Sequence, residues 1–149
     1  MKKSLFIFLA LILSANIFAQ KGSNAASESN VKGINFQNVS FDEAKKLAAS
    51  QKKLIFMDAY TVWCGPCKAL SNGPFKDDAV GEFFNKNFVN LKVDMEKGEG
   101  VQLAAKFAIR AYPTLLFINK NGDKVHLALG YMDATRLIEE GKKALALAK

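Results

Sequence analysis

Residues 54–68 read LIFMDAYTVWCGPCK, a dense apolar run that leads directly into the chain's only two cysteines, Cys64 and Cys67. A run that is apolar on both faces is typical of a central strand covered by helices on both sides. The residues between the cysteines suit the start of a helix, since Gly65 allows a tight turn and Pro66 lacks an N–H that would need a partner. The stretch predicts a buried strand, a turn, and a helix whose first turn carries both cysteines.

The spacing of the cysteines indicates redox chemistry. Side chains three residues apart at the start of a helix lie on one face, within reach of disulfide geometry. A helix N-terminus favours an anion, and such placement lowers the pKa of a Cys-X-X-Cys thiol from about 8.5 to roughly 3.5–7.5. We expect Cys64 to be the attacking thiolate and Cys67, which should lie deeper, to resolve the mixed disulfide.

A metal site and a purely structural disulfide are the alternative uses of this pair. Structural zinc and iron–sulfur sites need about four ligands. The chain offers no further cysteine and one histidine, His126, which alternates with apolar neighbours in a predicted strand and is expected to face solvent. A disulfide that closes a loop of about three residues gives little chain-entropy stabilisation. We therefore expect redox use, with no metal, no cofactor and no catalytic role for His126.

The N-terminus is typical of a signal peptide. It has a positive n-region at 2–3, an apolar stretch over 5–13 and a polar-to-small region over 14–19. We expect cleavage after Ala19 and export, to the periplasm in a Gram-negative bacterium, where disulfides persist. The alternative is an uncleaved membrane anchor, because Ile17 is a poor residue for the −3 position. Against an anchor, the apolar stretch is shorter than the roughly 20 residues that span a bilayer.

The remainder of the chain is expected to contain one domain. Residues 20–32 are rich in Ser, Asn, Ala and Gly, which predicts a flexible linker before a domain at 33–149. The formal net charge is +7, but the lysines are scattered along the chain. This distribution predicts a solvated basic surface without a nucleic-acid patch. A monomer is the default expectation.

Local start and stop signals predict the remaining elements. Ser40 and Glu43 form a capping box at the start of a helix, and Asn121-Gly122 is a strong hairpin signal. The expected elements are an edge strand at 34–39, a helix at 41–50, strands at 54–60, 88–94, 115–118 and 124–129, and helices at 64–72, from 77, at 101–108 and from 133. A right-handed crossover makes the strands at 54–60 and 88–94 parallel, whereas the hairpin adds antiparallel strands. The chain is expected to form an α/β fold, in which helices flank both faces of a mixed sheet of four to five strands.

Asp58 interrupts the apolar run. A carboxyl group inside a covered strand is costly unless it is hydrogen-bonded, and burial raises its pKa because the charged form is disfavoured. Asp58 is therefore a candidate proton acceptor for a buried thiol. The alternative is a carboxylate at a strand end that reaches water or caps a loop.

The order of the elements resembles the thioredoxin family over 36–147. The matching motifs are WCGPCK at 63–68, Asp58 six positions before Cys64, RAYPT at 110–114 and Gly130 after the last strand. The resemblance implies a thioredoxin fold in which Cys64 is the nucleophile, Cys67 is the resolving thiol, and the two form a redox disulfide.

The resemblance also implies roles for the other motif residues. Pro113 corresponds to the family's cis-proline, which faces the cysteines, and Tyr112 would offer its backbone to an extended substrate segment. The substrate groove would further include Trp63, Gly65, Pro66 and Gly130. Asp58 resembles the buried acid that assists proton transfer at the second cysteine. Thioredoxins usually carry a lysine near this acid on the neighbouring strand, where the present chain is expected to place Asn90, which leaves the role of Asp58 open.

The implied activity is that of an exported thiol–disulfide oxidoreductase. The phrase KLIFMD at 53–58 resembles exported proteins related to the soluble domains of transmembrane disulfide reductases. The expected substrates are protein or peptide disulfides, and the expected electron donor is embedded in the membrane. Because the direction of electron flow depends on the reduction potential, an isomerase or oxidase of exported proteins is an alternative. A second alternative, of another class, is a non-catalytic module that holds extended peptides in the groove.

Overall fold

The computed structural model describes residues 32–149, so the predicted signal peptide and nearly all of the predicted linker lie outside the described residues. The elements within this range are α1 (Phe41–Gln51), β1 (Leu54–Tyr60), α2 (Gly65–Asn72), a short 3₁₀ helix (Pro74–Lys76), α3 (Asp78–Asn87), β2 (Phe88–Asp94), α4 (Gly100–Lys106), β3 (Thr114–Ile118), β4 (Lys124–Leu129) and α5 (Ala134–Leu147). None of the helices over these residues is long and apolar enough to cross a membrane.

The strands form one mixed sheet in the order β2-β1-β3-β4. β1 and β2 are parallel, whereas β3 is antiparallel to both β1 and β4. The predicted parallel crossover and C-terminal hairpin are confirmed. The predicted edge strand at 34–39 is wrong, because this segment makes a single isolated bridge between Phe36 and Asn90. The backbone N–H of Asn35 instead donates to the side chain of Asn85, which interrupts a ladder along β2.

The helix boundaries follow the capping residues. At α1, the Ser40 side chain accepts from the backbone N–H of Glu43 and the Glu43 carboxylate accepts from the backbone N–H of Ser40. Asp77 and Asp133 cap α3 and α5 through their side chains. Each cap satisfies backbone donors that a helix leaves unpaired at its first turn. These boundaries were predictable because the signals are local.

Helices cover both faces of the sheet, and β1 contributes to both layers of the core. Its residues Ile55, Met57 and Ala59 pack in the layer that contains α1 and α4. Phe56 packs in the opposite layer, with α2, α3 and α5. Side chains alternate between the faces of a strand, so Asp58 shares the face of Phe56. This face is the one against which the cysteine-bearing helix packs.

Candidate active site

Cys64 and Cys67 form a disulfide at the amino end of α2, and their Cα atoms are 5.3 Å apart. Cys64 is the N-cap residue of this helix. Both cysteines are buried, with exposed fractions of 3% for Cys64 and 1% for Cys67. Gly65 and Pro66, the residues between them, are exposed. The two cysteines of the predicted pair are thus bonded to each other, and the turn that connects them lies at the surface.

The Cys64 sulfur lies where a negative charge is favoured. The backbone N–H of Cys67 donates a hydrogen bond to Cys64 Sγ at 3.1 Å. The amino end of α2 also carries the partial positive charge of the aligned peptide dipoles. When the disulfide is reduced, this placement favours a thiolate over a thiol at Cys64. The chemical role predicted for Cys64 therefore has a structural basis in the helix cap.

Pro113 and Gly130 meet at the same end of the sheet. The Tyr112–Pro113 peptide bond is cis, as the family resemblance implied. Pro113 directly precedes Thr114, which pairs with Ala59 near the end of β1. The backbone N–H of Gly130 donates to the carbonyl oxygen of Pro113 at 2.9 Å. Gly130 has a φ of +82°, a conformation in which a side chain would be strained.

Apolar side chains are exposed beside this cluster. Trp63 directly precedes Cys64, and its ring packs edge-to-face on Tyr112 with centroids 5.8 Å apart. The Trp63 indole N–H donates to a carboxylate oxygen of Glu96 at 3.0 Å. Half or more of each of four large side chains here remains in solvent, namely Val62, Trp63, Leu129 and Tyr131. Such a surface suits an apolar segment of a partner chain.

Asp58 is fully buried, so it does not reach water as a strand-end carboxylate would. Its Oδ2 accepts a hydrogen bond from Lys92 Nζ at 2.5 Å, and its Oδ1 has no hydrogen-bond partner among the described residues. Burial raises the pKa of the Asp58 carboxyl, while the charge and hydrogen bond of Lys92 act in the opposite direction. A carboxyl group in this environment is suited to accept a proton.

The expected position of Asn90 beside Asp58 is wrong. The parallel register pairs Asp58 with Lys92 and places Asn90 opposite Phe56. The side chain of Asn90 instead donates to Asn85 Oδ1 in α3 at 3.0 Å and to the carbonyl oxygen of Asn35 at 3.4 Å. The lysine that the family pattern requires is therefore present, two residues further along β2. Sequence reasoning missed it because strand register depends on the packing of the whole sheet.

Ser71 connects Lys92 to the second cysteine. Lys92 Nζ donates to Ser71 Oγ at 2.8 Å, and Ser71 Oγ donates to the carbonyl oxygen of Cys67 at 2.9 Å. A cavity of about 310 Å³ lies beside these groups and is lined by Tyr60, Thr61, Val62, Cys67, Lys68, Ser71, Asn72 and Lys92. The position of Ser71, one turn after Cys67, was the available sequence signal for this contact.

His126 is not a solvent-facing residue, contrary to the sequence prediction. Its side chain is 20% exposed, and Nε2 lies 2.6 Å from Glu140 Oε2. The ring also stacks on Phe117, with centroids 5.7 Å apart. The prediction failed because α5 covers the face of β4 that carries His126. Among residues 32–149, no group of His, Cys, Asp and Glu side chains is arranged to hold a metal ion.

Comparison with known proteins agrees with this architecture. The family model described as a thioredoxin-like domain matches residues 41–145. The chain belongs to the thioredoxin-like family. The disulfide-forming pair at the start of α2 lies within the matched region.

Two relatives differ in how much of this chain, and how much of their own length, the sequence similarity covers. The thiol:disulfide interchange protein DsbD of Yersinia pestis strain Pestoides F is 30% identical over 97% of this chain, which covers 25% of DsbD. Thioredoxin-1 of Drosophila melanogaster is 32% identical over 54% of this chain and 70% of its own length. The present chain thus spans about a quarter of the length of the DsbD relatives that it matches.

Solved structures share the fold. A protein from Bacteroides thetaiotaomicron, provisionally named a disulphide isomerase, is 50% identical with a TM-score of 0.69 over 78% of this chain and 97% of that structure. The oxidised C-terminal domain of Neisseria meningitidis DsbD has a TM-score of 0.60 over 75% of this chain and 99% of that domain. The latter is 18% identical, so it supports the fold alone.

Proposed function

We propose that this protein is exported and reduces protein or peptide disulfides with electrons supplied by a membrane-embedded donor. The observation that carries the proposal is the Cys64–Cys67 pair at the amino end of a helix, next to an exposed apolar surface. The similarity to thiol:disulfide interchange proteins supports exchange with a second dithiol protein. The Gly-Pro sequence between the cysteines supports the reducing direction.

The first step is attack by the Cys64 thiolate on one sulfur of a substrate disulfide. The substrate S–S bond breaks, a mixed disulfide with Cys64 forms, and the first substrate thiolate leaves and takes up a proton. The helix cap that stabilises negative charge at Cys64 supplies the nucleophile. The surface formed by Trp63, Tyr112 and Gly130 around the buried Pro113 would hold the substrate as an extended segment.

The second step releases the reduced substrate. The Cys67 thiol transfers its proton to the Asp58 carboxylate, and the resulting thiolate attacks Cys64 Sγ. The mixed disulfide breaks, the Cys64–Cys67 disulfide forms, and the second substrate thiolate leaves and is protonated. Two electrons pass from the protein dithiol to the substrate. The raised pKa and full burial of Asp58 support its role as the acceptor.

Export rests on the features of residues 1–19. We infer cleavage after Ala19 and release of the linker and domain on the far side of the membrane, which is the periplasm in a Gram-negative host. Mass spectrometry of the protein from fractionated cells tests this inference. Cleavage predicts a periplasmic species that starts at Gln20. An intact N-terminus in the membrane fraction would instead show that the leader is a retained anchor.

The reduction potential of the Cys64–Cys67 pair tests the direction of electron flow. Purified mature protein is equilibrated with glutathione or dithiothreitol buffers, and the oxidised fraction is measured. A value near or below roughly −230 mV would support a reductase. A value above roughly −180 mV would overturn that direction and favour an isomerase or oxidase. The 50% identical structure named provisionally as a disulphide isomerase makes isomerisation the second candidate.

Replacement of the nucleophile separates catalysis from peptide binding. Cys64→Ser is expected to abolish reduction of insulin disulfides, measured by turbidity, while the fold remains intact by circular dichroism. A wild-type protein without reductase activity, whose affinity for extended peptides survives Cys64→Ser, would show that the groove serves a non-catalytic binding module.

A further inference from the structure

Ser71 lies between the second cysteine and the buried ion pair. It is half-buried on α2, where its hydroxyl donates to the Cys67 carbonyl oxygen at 2.9 Å. Ser71 Oγ also accepts from Lys92 Nζ at 2.8 Å, and Lys92 Nζ donates to Asp58 Oδ2 as well. One ammonium group therefore bridges the helix that carries Cys67 and the strand that carries Asp58.

We propose that Ser71 is a positioning residue for the resolving step, because it fixes the Lys92 ammonium between Asp58 and the helical turn of Cys67. The proposal rests on the role of Asp58 as proton acceptor. Ser71 does not exchange a proton with the thiol. It determines where the positive charge is held while Cys67 loses its proton.

Lys92 needs such a partner because its side chain is not fully buried. About a quarter of its side chain is exposed, whereas the side chain of Asp58 is fully buried. A lysine ammonium is strongly hydrated and stands on a flexible stem, so water competes for it. Three aromatic rings approach the ammonium group, with Nζ 4.5 Å from the centroid of Tyr60, 5.4 Å from that of Phe75 and 5.7 Å from that of Phe36. Ser71 supplies a neutral acceptor on the α2 side, where the charge must face Cys67.

The residues around the Lys92 ammonium determine which charges act on the resolving step at Cys67. β1 contributes Asp58 and Tyr60, α2 contributes Lys68, and β2 contributes Lys92. Asp94 also acts on Tyr60, whose pKa is raised by burial first and by the negative charges of Asp94 and Asp58 second. The cavity along Tyr60, Cys67 and Ser71 is open to solvent-sized molecules. Lys92, the partner of Asp58, lines this cavity, whereas Asp58 itself does not.

Loss of the Ser71 hydroxyl should release Lys92 towards solvent. The pKa of Asp58 would then rise further, so a higher pH would be needed to form the carboxylate that accepts the proton. We expect Ser71→Ala to slow the resolving step at neutral pH by about two- to tenfold, the factor that corresponds to one lost hydrogen bond. We also expect the pH profile of that step to move to higher pH. Formation of the mixed disulfide at Cys64 should be unchanged.

Stopped-flow reaction of the reduced full domain with 5,5′-dithiobis(2-nitrobenzoate) separates the two steps. Attack by Cys64 releases one coloured thiolate, and resolution by Cys67 releases the second. The variants are Ser71→Ala, Ser71→Thr, Asp58→Asn and the control Ser50→Ala. Ser50 makes the same kind of helical hydroxyl-to-carbonyl bond, to Leu47 at 3.0 Å, in the distant α1. Ser71→Thr keeps the hydroxyl and should retain most of the wild-type rate.

A slow second release with a raised pH profile in Ser71→Ala, rescue in Ser71→Thr and no change in Ser50→Ala would support the proposal. A wild-type profile for Ser71→Ala, when Asp58→Asn is slow, would overturn the role of Ser71 and leave that of Asp58 intact. Equal slowing of both releases would reduce Ser71 to a structural residue and also overturn the proposal. A wild-type second release in Asp58→Asn would reject the role of Asp58, and with it the proposal.

Discussion

Two buried carboxylates in this protein have opposite chemical environments. Asp58, 0% exposed, has one cationic donor and, among residues 32–149, one oxygen without a partner, and burial raises its pKa. Glu140, 4% exposed, lies between α5 and β4 and has three donors. Burial acts to raise the pKa of Glu140 as well, but the hydrogen bonds of Lys143, His126 and Arg136 lower it to about 2.

The difference shows that burial alone does not determine what a carboxyl group does. Glu140 Oε1 accepts from Arg136 Nε and Lys143 Nζ, each at 2.9 Å, and Oε2 is 2.6 Å from His126 Nε2. Both of its oxygens are occupied, so the group is held as an anion and joins α5 to β4. Asp58 keeps one oxygen free beside the cysteine-bearing helix. The number of donors thus separates a carboxylate that is held as an anion from a carboxyl group that is suited to accept a proton.

The largest effect should come from replacement of Asp58, the proposed proton acceptor. Asp58→Asn is expected to slow resolution of the Cys64 mixed disulfide by roughly 10²-fold, at the lower end of the range for general base catalysis, without slowing its formation. Glu140→Gln is the matched control, since it neutralises the other buried carboxylate and should leave both steps unchanged. Equal slowing of formation and resolution by Asp58→Asn in stopped-flow measurements would remove the distinction between the two groups.

The second effect is on stability. The pKa of Glu140 is about 2 in the folded protein against an ordinary value of 4.5. Because the folded-state pKa is lowered, the stabilisation is present above pH 4.5 and is lost as the pH falls towards 2. Glu140→Gln should therefore lower the free energy of unfolding at neutral pH by about 3 kcal/mol, with a deficit that shrinks in acid. Urea unfolding checks this, with the exposed neighbour changed by Glu139→Gln as the control.

The third effect is a shift of the pH profile. Lys92→Met removes the charge that opposes protonation of Asp58, so the resolving step should require higher pH and slow by about tenfold at neutral pH. Lys97→Met, at an exposed lysine that lies 3.7 Å from Asp94, should have no such effect. An unchanged pH profile in Lys92→Met would mean that Lys92 does not affect the pKa of Asp58.

The smallest effect concerns one of the three donors to Glu140. His126→Phe preserves an aromatic ring against Phe117 but removes the hydrogen bond to the carboxylate, and should cost about 1 kcal/mol of unfolding free energy. In the Glu140→Gln background the cost should become smaller, because the two side chains are coupled. Full additivity in this double-mutant cycle would show that His126 stabilises the protein through its ring alone.

The outline of the fold was predictable because its signals are local. The capping residues Ser40 and Asp133 and the apolar run of β1 each identify an element without information from elsewhere in the chain. The cysteine pair and Pro113 were likewise identified from their motifs. The segment at 34–39 was assigned too much regular structure, because its apolar residues pack on the core without a continuous ladder. The helix predicted at 101–108 was also too long, since α4 ends at Lys106.

The two carboxylate environments were less predictable because they depend on contacts between distant elements. Lys92 reaches Asp58 through the β1–β2 register, which was misplaced by two residues, although the correct face of β2 was chosen. Glu140 contacts His126 only after α5 packs on β4. A sequence signal for Glu140 did exist, since it lies on the same helical face as the buried residues Leu137 and Ala144.

The position of Trp63 makes its intrinsic fluorescence a reporter of the redox state of the cysteine pair. It is the chain's single tryptophan, it directly precedes Cys64, and its indole N–H is held by Glu96 rather than left free to rotate. A disulfide quenches indole fluorescence at short range, so emission from this one ring should increase when the Cys64–Cys67 bond is reduced. Electron transfer to and from the protein can then be followed in real time on the unlabelled, unmodified chain.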